Sequence, residues 1–315
     1  MLARLQQFTT LALLAAAATW GAYFVSSDRS AWAGGGVLLI LLGYALFLGI
    51  EFVMLAFVNA ADAAPQAEVS QLLQAWWGEV VTAPRVFCWR QPFRSRAEPD
   101  FMPLCAQGRR GVVLVHGFVC NRGLWNPWME KLRAAQVPFV AVNLEPVFGS
   151  IDDYTRIVDT AVQRMEAVTG QAPVVVAHSM GGLAVRAWLA SKSLDWSVHR
   201  IITIGTPHQG TWLARFGVTR NGKQMRLENA WLQQLAGKET AQRMAQFTCF
   251  YGHCDNIVFP ASTATLAGAD NRHVPGTAHV HMVFHAEVFK EVWRWLMPEG
   301  VAPSVEVTPL AVLAR

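Results

Sequence analysis

The sequence predicts an α/β chain: a mostly parallel sheet with helices on both faces, preceded by a transmembrane helical hairpin. Three observations predict it. From Gly111 onward, short β-rich runs alternate with amphipathic helical patterns, the order that gives a parallel sheet covered on both sides. Several of these runs are continuously apolar rather than alternating, as strands buried on both faces are. Ahead of them lie two uncharged stretches, each near the ~20 residues a helix needs to cross the hydrocarbon of a bilayer.

The front end, residues 1–60, is read as two transmembrane helices. No residue between Arg4 and Asp28 is charged, and none between Arg29 and Glu51. The first stretch taken alone also fits a cleaved signal peptide, but a second apolar run directly behind it favours a hairpin. Trp20, Tyr23 and Trp32 fall near the expected membrane surface, where aromatic residues collect. Glu51 sits near the end of its span, from where a carboxylate reaches the headgroups. Arg4 and the amino terminus favour an N-terminus on the inside. Arg85, Arg90, Arg94 and Arg96 follow the second span, so two crossings leave the rest of the chain in the cytoplasm, at the cell membrane.

Residues 61–110 read as a connector. "VSQLLQAWWGEVV" fits an amphipathic helix, lying either on the membrane interface or packed on the next domain. The globular domain is expected over 111–298. Strands are expected at 111–115, 137–144, 173–177, 200–205 and 247–254. Between the second and third, Tyr154, Ile157, Val158, Ala161, Val162, Met165 and Val168 share one helical face. Ser150 with Asp153 makes a capping box for that helix, and Gly170 closes it. A last helix is expected over 286–297, ended by Pro298. The tail, 299–315, has no evident role.

Composition narrows the function classes. Apolar residues make up 53% and charged residues 15%, a balance shifted toward membrane-attached proteins. The net charge of +4 is too small and too dispersed for a nucleic-acid-binding face, and suits loose attraction to anionic lipid instead. Cys88, Cys105, Cys120, Cys249 and Cys254 form an odd set without a CxxC, which reads as free, mostly buried thiols. Metal ligands of the usual paired spacing are missing around His273, His279, His281, His285 and Cys254, so neither metal nor cofactor is expected.

The chemistry gathers around "VVVAHSMGGLAVRAWLA", Val174 to Ala190. Ser179 follows a strand and precedes a helix, a turn that holds a nucleophile in strained geometry with its hydroxyl at the top of the sheet. Ala177 and Gly181, two residues away on either side, are small enough to let the chain pass. The amide of Met180, at the helix start, points at the site, and the loop after "VVLV" offers the amide of Phe118. Together they make an expected oxyanion hole. A serine needs a base and an orienting acid, which follow in that fold in the order Ser, Asp or Glu, His. Asp255, directly after a strand, and His279, in a loop before the final helix, fit the order. Asp270 is an alternative acid, and His281 and His285 are alternative bases. His178 points away from the hydroxyl beside it, and His116 and His208 read as braces of turns.

The strings "VLVHGF", "VVVAHSMGGLAVRAWL", "ITIGTPHQGT", "CDNIV" and "GTAHVHMVF" resemble the α/β-hydrolase superfamily over about residues 110–298, in particular its bacterial triacylglycerol lipases and esterases. The resemblance implies Ser179 as nucleophile, Asp255 as orienting acid, His279 as general base, and Phe118 and Met180 as oxyanion donors. It also implies a lid over about 211–245 and no cofactor. The expected function is a membrane-anchored serine hydrolase of lipid or other hydrophobic esters. The same machinery would serve an acyltransferase or thioesterase, and the rival of another class is a non-catalytic membrane scaffold. Substrate lipid and membrane lipid are the expected partners, with no nucleic acid.

Overall fold

A computed structural model describes residues 1–27, 29–103, 106–192 and 198–297 of the chain. The tail expected at 299–315, Pro298 and Cys105 lie outside the described residues.

Six parallel strands form the sheet: β1 (Val112–Val115), β2 (Phe139–Ala141), β3 (Val174–His178), β4 (Arg200–Ile204), β5 (Phe247–Tyr251) and β6 (Asp270–His273). Their order across the sheet is β2-β1-β3-β4-β5-β6. β3 thus lies in the interior, Val174 to Ala177 paired with β1 on one side and Val174 to His178 with β4 on the other. Alternate side chains go to opposite faces of a strand, and here they enter two separate cores. Val113, Val115, Val140, Val175 and Ala177 pack on one face. Val112, Leu114, Phe139, Ala141, Val174 and Val176 pack on the other. β6 is a strand that periodicity misses, because its polar residues, Asp-Asn-Arg-His, occupy a half-exposed edge.

The helices, in chain order, are α1 (Leu2–Ser26), α2 (Ser30–Asn59), α3 (Val69–Pro84), α4 (Gln91–Phe93), α5 (Asn126–Ala134), α6 (Thr155–Thr169) and α7 (Met180–Ala190). They continue as α8 (Arg220–Gln224), α9 (Ala230–Ala236), α10 (Ala241–Met244), α11 (His279–Met282) and α12 (Ala286–Leu296). α6 and α7 cover one face of the sheet, α5 and α12 the other. On the second face, Trp128 of α5 meets Phe289 of α12 with ring centroids 4.9 Å apart. The Trp128 indole N–H also donates to the carbonyl of Val283 at 3.0 Å. α6 and the 3-10 turn Ile151–Tyr154 that leads into it are specified locally. Asp153 accepts from the Ser150 amide at 2.8 Å in a complete capping box, and Gly170 closes the helix at φ +66°.

At the front, α1 and α2 are long and apolar enough to cross a membrane. Their 25 and 30 residues reach about 37 and 45 Å at ~1.5 Å per residue, against a hydrocarbon core of about 30 Å. They pair as a hairpin. The Trp20 indole N–H donates to the Trp32 carbonyl at 2.9 Å, and its ring fills the space where a Cβ on Gly36 would stand. The hairpin is docked on the sheet domain through polar side chains. Gln6 donates to Gln91 at 2.8 Å, and Asn59 bonds both the His253 carbonyl and the Ala261 amide, each at 3.1 Å. Glu51 does not reach outward, contrary to the expectation from its place in the span. It is buried and accepts a 2.6 Å bond from the Asn256 side-chain amide, because burial against the domain offers it a fixed donor.

α3, in the connector, has two unlike sides. Ala75, Glu79 and Thr82 on one side are buried against the domain, whereas Val69, Leu73 and Trp77 form an exposed apolar row at four-residue spacing. The 211–245 segment, expected as a lid, packs beside the sheet. Leu232, Leu235 and Met244 enter the core of α6 and α7. A buried ion pair fixes the segment: Arg186 of α7 clasps Glu239 with two bonds of 2.6 and 3.0 Å.

Replacing Glu239 by Ala strands the Arg186 guanidinium in the core, and should lower the unfolding free energy by about 3–5 kcal/mol, read from denaturant unfolding in mild detergent. The double variant Arg186→Met with Glu239→Leu should recover most of that loss.

Candidate active site

β3 delivers Ser179 at its C-terminal end, and α7 begins at the next residue. The serine has φ 55° and ψ −131°, a sparsely populated conformation that costs a non-glycine residue about 1–3 kcal/mol. Its neighbours hold it there. The Ser179 amide donates to the Ile204 carbonyl at 2.9 Å, and its carbonyl accepts from the Thr206 hydroxyl at 2.9 Å and the Gly182 amide at 3.0 Å. Small residues are obligatory around it. A Cβ on Gly181 would strike the His116 carbonyl at 2.5 Å, and one on Gly117 would lie 2.7 Å from the Ser179 Cβ. Met180 is the first residue of α7, so its amide has no partner within the helix and faces the serine end.

His279 and Asp255 meet as a buried pair, with His279 Nδ1 2.9 Å from Asp255 Oδ2. The other carboxylate oxygen accepts from the amides of Ile257 at 2.9 Å and Val258 at 2.8 Å. A carboxylate so held orients the ring, and Nδ1–H donating to it leaves Nε2 as the free acceptor. Gly205 runs against the pair at φ +55°, where a Cβ would come 2.8 Å from Asp255 Oδ2. Burial alone would lower the His279 pKa. The Asp255 carboxylate, with Glu79 and Glu51 farther off, outweighs it, and the pKa is raised.

Two carboxylates and an amide that sequence reasoning did not assign hold the His279 loop. Glu79 of α3 accepts from the amides of Val280 at 3.1 Å and His281 at 3.0 Å. Burial pushes its pKa up to about 7. Asn256 accepts from the His279 amide at 3.2 Å while donating to Glu51. The signal for Glu79 was present in the sequence: it stands four residues after Ala75, on the packed side of an amphipathic helix.

The remaining candidates lie elsewhere. Asp270, on the edge strand, pairs with Arg272 at 2.8 Å. His281 packs against α3 at Gly78, and His285 accepts from the Glu287 amide at 3.3 Å as the cap of α12. His178 packs beside His279 with centroids 4.5 Å apart and the rings tilted by 44°, and its Nε2 lies 3.3 Å from the His279 carbonyl. His116 braces the loop that carries Phe118, bridging the Gly117 carbonyl at 2.9 Å and the Leu144 amide at 3.0 Å. Burial takes its pKa down to about 4, so it stays neutral. His208 bonds Thr203 at 3.0 Å. Cys88, Cys120, Cys249 and Cys254 are free thiols, and burial pushes the last three up to about 12.

Ser179, His279 and Phe118 open on one cavity of about 640 Å³. Its roof is formed by α1, α2 and α3, and residues 211–245 contribute none of its lining.

Residues 112–280 match the Alpha/beta hydrolase family. The chain is an α/β-hydrolase. No curated protein matches its sequence. Among solved structures, the mature lipase BlEst2 of Bacillus licheniformis is 16% identical with a TM-score of 0.54, over 62% of this chain and 96% of that one. Lipase B of Aspergillus fumigatus is 21% identical with a TM-score of 0.51, over 62% of this chain and 55% of that one. At such identities the likeness is one of fold. The α/β-hydrolase match begins at β1, so the hairpin and connector that roof the cavity lie outside it.

The pH dependence of activity should expose the Glu79 contact. With His279 as the base of the reaction proposed below, the ring must be neutral, so kcat/KM would rise with pH as it loses its proton. The Glu79 carboxylate favours the charged ring, so Glu79→Gln should move the acid limb of the kcat/KM profile to lower pH. An unmoved limb would mean that this charge does not reach His279.

Proposed function

We propose that this α/β-hydrolase is a membrane-anchored serine hydrolase that cleaves the carboxylic esters of lipids. The observation that carries the reading is that a serine on a strained strand-to-helix bend and an Asp-bound histidine open on the same apolar cavity. Ser179 Oγ attacks the ester carbonyl carbon while His279 Nε2 takes its proton. Asp255 keeps the ring oriented and stabilises its cation. The amides of Phe118 and Met180 shelter the oxyanion. The tetrahedral intermediate collapses, the alkoxide leaves with the proton from Nε2, and water, activated by the same nitrogen, releases the acid from the acyl-enzyme.

Residues 1–60 act as the anchor, 61–110 as its brace, and 111–298 as the catalytic unit. Retention of the first helix is supported by Gln6 and Gln7, which bond Gln91 and the Pro92 carbonyl, contacts a discarded leader would not need. Two crossings put the catalytic unit on the side of the N-terminus, and Arg4 favours the cytoplasmic side of the cell membrane. The reaction calls for no metal or cofactor.

A fluorophosphonate probe should label the detergent-solubilised protein and fail on Ser179→Ala. Asp255→Asn should depress kcat on a carboxylic ester by about 10³- to 10⁴-fold, and Asp270→Asn should leave it unchanged. Labelling that survives Ser179→Ala, or equal losses at Asp255 and Asp270, would overturn the assignment.

A further inference from the structure

We propose that the cavity between α1, α2 and α3 is an acyl-chain site that takes the chain of a bilayer lipid sideways, out of the membrane hydrocarbon. The proposal rests on the reading of Ser179 as an ester nucleophile and adds to it where the substrate comes from.

One end of the cavity carries the reactive groups, Ser179 and His279, with Phe118 beside them. From there the walls are mostly apolar. α1 supplies Leu13 and Leu14, and α2 supplies Ile40, Leu41, Phe47 and Leu48. The α2 lining runs from Ile40 to Glu51, about 16 Å of helix at ~1.5 Å per residue. Three of the polar side chains in it are engaged with the protein: Glu51 with Asn256, Glu79 with the amides of α11, and Tyr44 with the Val80 carbonyl at 2.8 Å. A volume of about 640 Å³ with mostly apolar walls suits a hydrocarbon chain.

The position of the opening decides the route. Leu13, Leu14, Leu41 and Phe47 line the cavity and are also 49, 52, 38 and 62% exposed. Its mouth therefore lies between the two apolar helices. Leu13 and Leu14 stand near the middle of the 25-residue α1, at the depth of the hydrocarbon when the helix spans. A lipid whose chain points to the bilayer centre and whose ester lies near the surface would enter without leaving the membrane, its carbonyl arriving at the serine end.

Filling the cavity tests this. In full-length protein, Leu48→Trp should lower the ratio of p-nitrophenyl palmitate to p-nitrophenyl butyrate turnover by about tenfold or more. Leu46→Trp, on the outer side of α2 at 65% exposure, should leave the ratio unchanged. A second measurement does not depend on turnover or on the folding of Leu48→Trp. Ser179→Ala in nanodiscs is irradiated with a phosphatidylcholine bearing a diazirine in one acyl chain. Cross-links at Phe118 and Val280, on the cavity floor, support the proposal. Cross-links confined to outward positions such as Leu39 and Leu46, or an unchanged ratio in folded Leu48→Trp, overturn it. Ester cleavage with either of those results leaves the hydrolase reading standing and removes the lateral site. Floor cross-links in a protein that cleaves no ester would keep the site and remove the hydrolase.

Discussion

The Glu79 carboxylate lies buried beneath the first turn of α11, taking the amides of Val280 and His281. Those amides begin a helix and have no partner inside it, and a carboxylate is the strongest acceptor the chain can offer them. Burying the charge is costly, which is why its pKa stands near 7. The bonds hold in place the loop that brings His279 to Asp255. Asn256 fastens the same loop from the other side and is itself fastened by Glu51. The orientation of the imidazole therefore depends on residues of α2 and α3, outside the part of the chain that matches the family.

That dependence makes the hairpin part of the site. The helices long enough to span a membrane also roof the cavity on which Ser179 opens. The polar contacts at both ends of the pair, Gln6 with Gln91 and the Val119 carbonyl, and Asn59 with His253 and Ala261, fasten it to the connector and the sheet domain. Loosening the hairpin would both open the roof and release the histidine loop. The 211–245 segment has the opposite character: the Arg186–Glu239 clasp and its leucines tie it to α7, beneath the bend that carries Ser179.

Much of the fold was legible because it is written in local chemistry. The continuous apolar runs became β1 to β5, the Ser150–Asp153 box starts the 3-10 turn that leads into α6 and Gly170 ends α6, and the small residues around Ser179 marked a bend that larger ones would block. β6 was not legible, since a polar edge strand has neither alternation nor an apolar run. Glu51 was misjudged for a related reason. Its position in an apolar span says that it needs a partner but not which one, and Asn256 lies 205 residues away.

By itself, then, the sequence determined the α/β class, the two long apolar helices, and the strand-to-helix serine with an acid and a histidine in order. Each follows from periodicity, length or the space at a single turn, which neighbours along the chain decide. Only the tertiary structure decided that Asp255 rather than Asp270 meets His279, that Glu79 and Asn256 hold the loop, and that hairpin residues line the cavity on which the serine opens. Those are contacts between residues far apart in the chain, fixed by burial and by buried polar groups that must find partners, and no local pattern encodes them.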